Sequence, residues 1–237
     1  MQTIERSFGQ LKVRMVGSPQ AKRGILLCHG YGAPGTDLVP LAEALMRVNP
    51  SLEKEAVFLF PEAPIKLDMG MPWMESRAWW HIDIGRFERA IRTGNLKELT
   101  LQEPEGLAQA RGLVEEVIHE ATTTLGLDEK KWIIGGFSQG AMLTTDLVLR
   151  MQESPKGLCI LSGTLLNAGK WEKLISNHPP LNIFQSHGKE DPILPHQVAE
   201  WLRDLLIKHK HQVRFSSFSG GHGIPASVLR DMGTFLS

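Results

Sequence analysis

Short β-rich apolar runs alternate along this chain with longer stretches of helical period. That pattern has few ways to bury itself other than as a mostly parallel sheet with helices on both faces. The runs are Gly24 to His29, Ala56 to Phe60, Lys131 to Gly136, Gly157 to Leu161, Leu181 to Ser186 and Gln212 to Phe218. Most are nearly continuous in apolar residues, as strands buried on both faces must be. Thr3 to Phe8 and Leu11 to Val16 read instead as an antiparallel hairpin at the sheet edge. Within Glu105 to Leu125, residues Ala110, Leu113, Val114, Val117, Ile118 and Ala121 recur at helical steps. Val198, Trp201, Leu202, Leu205 and Leu206 do the same within Pro195 to Lys210. Each set lies on one helix face and is read as core packing. At 237 residues the chain fits one large α/β domain, 1–237, able to bury most of the surface that its unfolded form exposes.

One stretch breaks the alternation. Pro61 to Pro104 joins a strand to a helix and carries Met69, Met71, Trp73, Met74, Trp79 and Trp80, followed by a charged part from Gly85 to Glu103. Connections of this length are usually disordered or functional. So many large apolar side chains favour a covering insertion, at about 62–104, with its own packing.

Charge excludes some partners. Lys plus Arg equals Asp plus Glu at 26 each, and no basic run is present, so neither a nucleic-acid backbone nor an anionic membrane has a field to follow. No apolar run approaches the ~20 residues of a membrane span, and Met1 to Gln10 lacks the apolar core of a secretory signal, so a cytoplasmic location is expected. Cys28 and Cys159 sit in apolar runs and read as buried thiols. There is no cysteine pair or His-Glu-x-x-His spacing, and the nine histidines do not cluster, so neither a metal nor a cofactor is expected.

The chemistry concentrates at Gly136-Phe-Ser-Gln-Gly140. As a bare Gly-x-Ser-x-Gly pattern it is weak, but here it follows the apolar run Lys131 to Gly136 and precedes a helical stretch from Ala141. A strand turning sharply into a helix at a serine forces strained backbone angles and close packing, which flanking glycines relieve. Ser138 is therefore the candidate nucleophile. A hydroxyl needs a base to take its proton. In this type of fold the order is serine, acid, histidine, and His222, in the glycine-rich Ser219-Gly-Gly-His-Gly223, is the candidate base; His209 and His211 belong to a helix end. The acid should come from Lys189-Glu-Asp-Pro192, where Asp191 is favoured because Pro192 fixes the turn and Glu190 stays open. Two backbone donors for an oxyanion are expected from Gln139, after the nucleophile, and from Tyr31 in Cys28-His-Gly-Tyr-Gly32.

With these segments in place the chain resembles the phospholipase/carboxylesterase family of α/β hydrolases, the branch that contains the acyl-protein thioesterases. The pieces that carry the resemblance are Leu27-Cys-His-Gly-Tyr-Gly32, Phe60-Pro-Glu-Ala-Pro64, Arg77-Ala-Trp79, Gly136-Phe-Ser-Gln-Gly140, His187-Gly-Lys-Glu-Asp-Pro-Ile-Leu-Pro195 and Gly221-His-Gly-Ile-Pro225. It implies an α/β-hydrolase fold, with Ser138, Asp191 and His222 as triad, the Tyr31 and Gln139 amides as oxyanion hole, and Asp191 rather than Glu190 as the acid. The segment after Arg77-Ala-Trp79 is longer than in the short thioesterase-like members, and Ala33 to Asp37 is worded differently.

The expected activity is hydrolysis of a small-molecule carboxylic ester or thioester through an acyl-enzyme on Ser138. Trp79, Trp80 and Met71 are candidate substrate contacts. Two other readings compete: a catalytically silent fold that binds a ligand, and a dienelactone hydrolase-like enzyme, against which the serine at position 138 counts.

Overall fold

In the computed structural model, which describes residues 2–18, 20–68 and 75–237, the apolar runs become strands within one or two residues of their expected ends. The strands are β1 (Ile4–Phe8), β2 (Leu11–Gly17), β3 (Arg23–Cys28), β4 (Ala56–Pro61), β5 (Ile65–Leu67), β6 (Ser76–Ala78), β7 (Trp132–Phe137), β8 (Gly157–Leu161), β9 (Asn182–Gly188) and β10 (Gln212–Phe218). The helices are α1 (Pro40–Val48), α2 (Leu52–Glu55), α3 (Ile84–Thr93), α4 (Leu107–Leu125), α5 (Gln139–Val148), α6 (Ala168–Asn177), α7 (His196–Lys208) and α8 (Ala226–Phe235).

An eight-stranded sheet runs in the order β1-β2-β4-β3-β7-β8-β9-β10. From β4 to β10 every neighbouring pair is parallel, while β2 is antiparallel to both β1 and β4. The N-terminal hairpin thus supplies one edge. Successive side chains of a strand point to opposite faces. Leu26 and Cys28 of β3 accordingly join a core with α4, α5, α6 and α7, while Ile25 and Leu27 join a second core with α1 and α8. Helices cover both faces, which is why the central strands are apolar throughout; this is the α/β-hydrolase arrangement. Burial pushes the thiols of Cys28 and Cys159 up, and both are free, so they pack as inert small hydrophobes.

The insertion carries elements that its composition hides. β5 and β6 pair as a small antiparallel sheet, and the part that reads as merely charged contains α3. Asp83 accepts from Arg86 N–H at its start, and Gly94 in the left-handed region (φ 69°) closes it, the usual stop for a helix. Ile84, Phe87 and Ile91 share one face, but the arginines and glutamates between them mask the period. Met69 to Met74 lie outside the described residues.

Candidate active site

Because β3, β7, β9 and β10 are parallel, the loops that follow them open at one edge of the sheet, where such folds gather their functional groups. The loop after β7 is a single residue. Ser138 sits between β7 and α5 at φ 55° and ψ −117°, a conformation that costs a non-glycine residue about 1–3 kcal/mol. Its surroundings hold it there. Ser138 N–H donates to Leu161 O (2.8 Å), and Ser138 O accepts from the N–H groups of Ala141 and Met142. The flanking glycines have a steric reason as well. A Cβ at Gly140 would lie 2.1 Å from Cys28 O, and one at Gly136 would lie 2.5 Å from the same oxygen.

From the loop after β10, His222 brings Nδ1 to 2.6 Å from Asp191 Oδ2. Its ring packs on Phe137, 4.7 Å between centroids, so the imidazole lies over the residue that precedes Ser138. Ser138 and His222 line one cavity, and among the described residues no hydrogen bond joins them; such contacts commonly tighten only around a substrate. The second Asp191 oxygen, Oδ1, accepts from the N–H groups of Ile193 and Leu194, each at 2.9 Å. Burial alone would raise the Asp191 carboxyl, but the hydrogen bonds from His187, His222 and Leu194 N–H outweigh it and hold the group well below the usual carboxylate range. Glu190 does something else: its carboxylate accepts from Gly220 N–H, and its own N–H donates to Gly220 O, clamping the loop that presents His222.

The loop after β3 approaches Ser138 closely. A Cβ on Gly30 would stand 3.3 Å from Ser138 Cβ. Among the described residues the N–H groups of Tyr31 and Gln139 have no acceptor, whereas Gly32 N–H donates to Arg77 O and Arg77 N–H to Ala33 O. The loop is therefore stitched to β6 just beyond its free donor. His29 secures the other side. Burial lowers its imidazole below the ordinary value, and the neutral ring accepts from Ala63 N–H through Nε2 while Nδ1–H donates to Gly30 O.

Several supports carry no expectation from sequence. The Gln139 side chain is fully buried; its Oε1 accepts from Trp79 N–H (2.9 Å) and its Nε2 donates to Trp80 O (2.8 Å). Glu62 bridges Arg14 of β2 (2.8 Å) and Arg77 of β6 (2.7 Å). The motifs Phe60-Pro-Glu-Ala-Pro64 and Arg77-Ala-Trp79 contained both groups, but a motif does not say what its glutamate touches.

The cavity over Ser138 has a volume of about 410 Å³; its walls include Tyr31, Gln139 and His222 on the polar side and Ile82, Ile84, Phe87 and Ile91 on the apolar side. Trp79 is not on it, which corrects the expectation of a substrate contact there: its side chain is buried behind the site, with the indole N–H donating to His29 O. Trp80 lines a neighbouring cavity of about 430 Å³ instead, and Met71 lies outside the described residues. Among the described residues no group of three or more His, Cys, Asp or Glu is disposed to hold a metal, and no helix is long and apolar enough to cross a membrane.

Known proteins are similar to this chain in sequence and in fold. A family profile described as phospholipase/carboxylesterase matches residues 12–237. Acyl-protein thioesterase 1 of Kluyveromyces lactis is 29% identical over 236 residues, covering 95% of this chain and 96% of its own. Its counterpart in Emericella nidulans is 27% identical over 229 residues, covering 90% and 88%. The crystal structure of esterase PE8 is similar with a TM-score of 0.76 at 28% identity, covering 94% of this chain and 95% of that one. Matched over nearly its whole length, the chain belongs to the phospholipase/carboxylesterase family.

Proposed function

We propose that the chain hydrolyses small carboxylic esters or thioesters through an acyl-enzyme on Ser138. The observation that carries this reading is the 2.6 Å contact of His222 Nδ1 with Asp191 Oδ2, beside a strained serine and two backbone N–H groups without acceptors among the described residues. His222 Nε2 takes the Ser138 proton as Oγ attacks the carbonyl carbon, and Asp191 holds the tautomer and stabilises the imidazolium. The negative charge that develops on the carbonyl oxygen goes to Tyr31 N–H and Gln139 N–H, donors that need no reorganisation. Imidazolium then returns the proton to the leaving alcohol or thiol. Water, activated by the same histidine, releases the acid.

The apolar wall of α3 suits a hydrocarbon substituent. Each buried methylene contributes about 0.8 kcal/mol, roughly fourfold in kcat/KM, until the cavity is full. A silent binding module draws no support from a site that keeps all its parts, and a cysteine-dependent lactonase draws none from two cysteines that are both buried.

A fluorophosphonate probe should label the wild-type chain once, at Ser138, and acyl p-nitrophenyl esters and acyl thioesters should be turned over. Ser138→Ala should take no label and show no turnover. Label retained in that variant would remove Ser138 from the mechanism, and a wild-type chain inert towards both probe and esters would remove the reading altogether.

A further inference from the structure

We infer that His187 is a positioning residue of this site: its Nε2, hydrogen-bonded to Leu194 O and 3.2 Å from Asp191 Oδ2, seats the Asp191 carboxylate so that Oδ2 is aimed at His222. The inference rests on the hydrolase reading above.

His187 lies near the carboxyl end of β9 and is fully buried. Ser217 of β10 stands beside it in register, and the His196 ring of α7 meets it edge-on at 5.9 Å, so the imidazole has a fixed seat. Its Nε2 is 2.7 Å from Leu194 O and 3.2 Å from Asp191 Oδ2. A carbonyl and a carboxylate only accept, so Nε2 carries the proton. Nδ1 is buried without a partner among the described residues, which suits the tautomer that leaves it bare.

The carboxylate needs this third support. Both backbone bonds, from Ile193 and Leu194, fall on Oδ1; they anchor one oxygen and leave the direction of the other to be set from elsewhere. Beside Oδ2 stand only two donors among the described residues, His222 Nδ1 and His187 Nε2. By holding Leu194 O as well, His187 ties the carboxylate to the far end of the turn that bears it. A neutral donor also suits the task chemically. Lysine or arginine here would cancel the charge that stabilises the imidazolium of His222, whereas an uncharged N–H orients the carboxylate and leaves its charge in place.

Glutamine and asparagine separate orientation from packing. The amide nitrogen of His187→Gln reaches about where Nε2 sits, that of His187→Asn reaches only the Nδ1 position, and His187→Leu has no donor. With kcat expressed per site titrated by a fluorophosphonate, His187→Asn and His187→Leu should lose roughly 10- to 100-fold in kcat at unchanged KM, the scale of a small misplacement in a catalytic constellation. His187→Gln should stay within about threefold of wild type, since its donor is kept. Loss from misfolding lowers the titre, not kcat per titrated site. Should His187→Leu fail to fold, the glutamine and asparagine pair decides. Wild-type kcat in His187→Asn, or a loss in His187→Gln equal to that in His187→Asn, overturns the inference while an active, labelled wild type keeps the hydrolase reading. An unlabelled, inactive wild type overturns both.

Discussion

Asp191 and Glu190 are neighbours of the same charge, and the physics that separates them is not local. Either carboxylate could close a turn before Pro192. Only in the folded chain does Asp191 Oδ2 meet His222 while Glu190 turns to Gly220 N–H. Replacing Asp191 by Asn is expected to reduce kcat by roughly 10³- to 10⁴-fold, because the amide can present its N–H to His222 and favour the wrong tautomer; activity near that of wild type would dissociate the residue from catalysis. The same carboxylate has a second, thermodynamic signature. Its folded-state value is depressed, burial being outweighed by the hydrogen bonds from His187, His222 and Leu194 N–H. A depressed group stabilises the folded chain above its unfolded value of about 3.9, and that contribution is lost as pH falls through the folded-state value. Thermal melts from about pH 6 to about pH 3 should therefore decline more steeply for wild type than for Asp191→Asn. Parallel curves would mean that the carboxylate carries no such linkage.

α3 was hidden in the sequence because four charged residues, Arg86, Glu88, Arg89 and Arg92, interrupt an apolar stripe of only three. Once the cavity is in view, Ile84, Phe87 and Ile91 form its wall. Ile84 is 54% and Ile91 36% exposed, so polar replacements there should leave the fold unchanged. Serine at both positions is expected to lower kcat/KM for an octanoyl ester by about tenfold and to leave the acetyl ester nearly unaffected, from the loss of apolar contact. Equal loss on both esters would put the acyl chain elsewhere. The junction between this insertion and α5 is governed by Gln139. Gln139→Ala leaves Trp79 N–H and Trp80 O buried without partners, at about 1–3 kcal/mol, and Tm should fall on the order of 5 °C. A variant that melts with wild type would show that this junction adds little to stability.

Across the whole molecule, the insertion is tied back to the sheet edge by Glu62, which is 5% exposed and lies between Arg14 and Arg77. Removing the central charge leaves Arg14 with Glu5 and Arg77 with Glu75, both half-exposed partners, so the loss is that of the buried charged contacts alone, about 1.5–3 kcal/mol. Glu62→Gln should lower Tm by on the order of 5 °C, with calorimetry as the measure, and an unchanged Tm would mean that Glu5 and Glu75 compensate the two arginines fully. Much of the architecture is legible without coordinates. Buried parallel strands must be continuously apolar, a helix over a sheet must carry a stripe, and a serine in a strained strand-to-helix turn must have small neighbours, so Ile25 to Cys28, Ala110 to Ala121 and Gly136 to Gly140 announce themselves. These constraints act between residues close in the chain. What Trp79 faces, which carboxylate meets His222, how His187 and Gln139 serve, and what lines the cavity were decided only by folding. Each depends on loops from separate strands converging at one sheet edge, and hydrogen bonds across such distances leave no period or spacing in the chain.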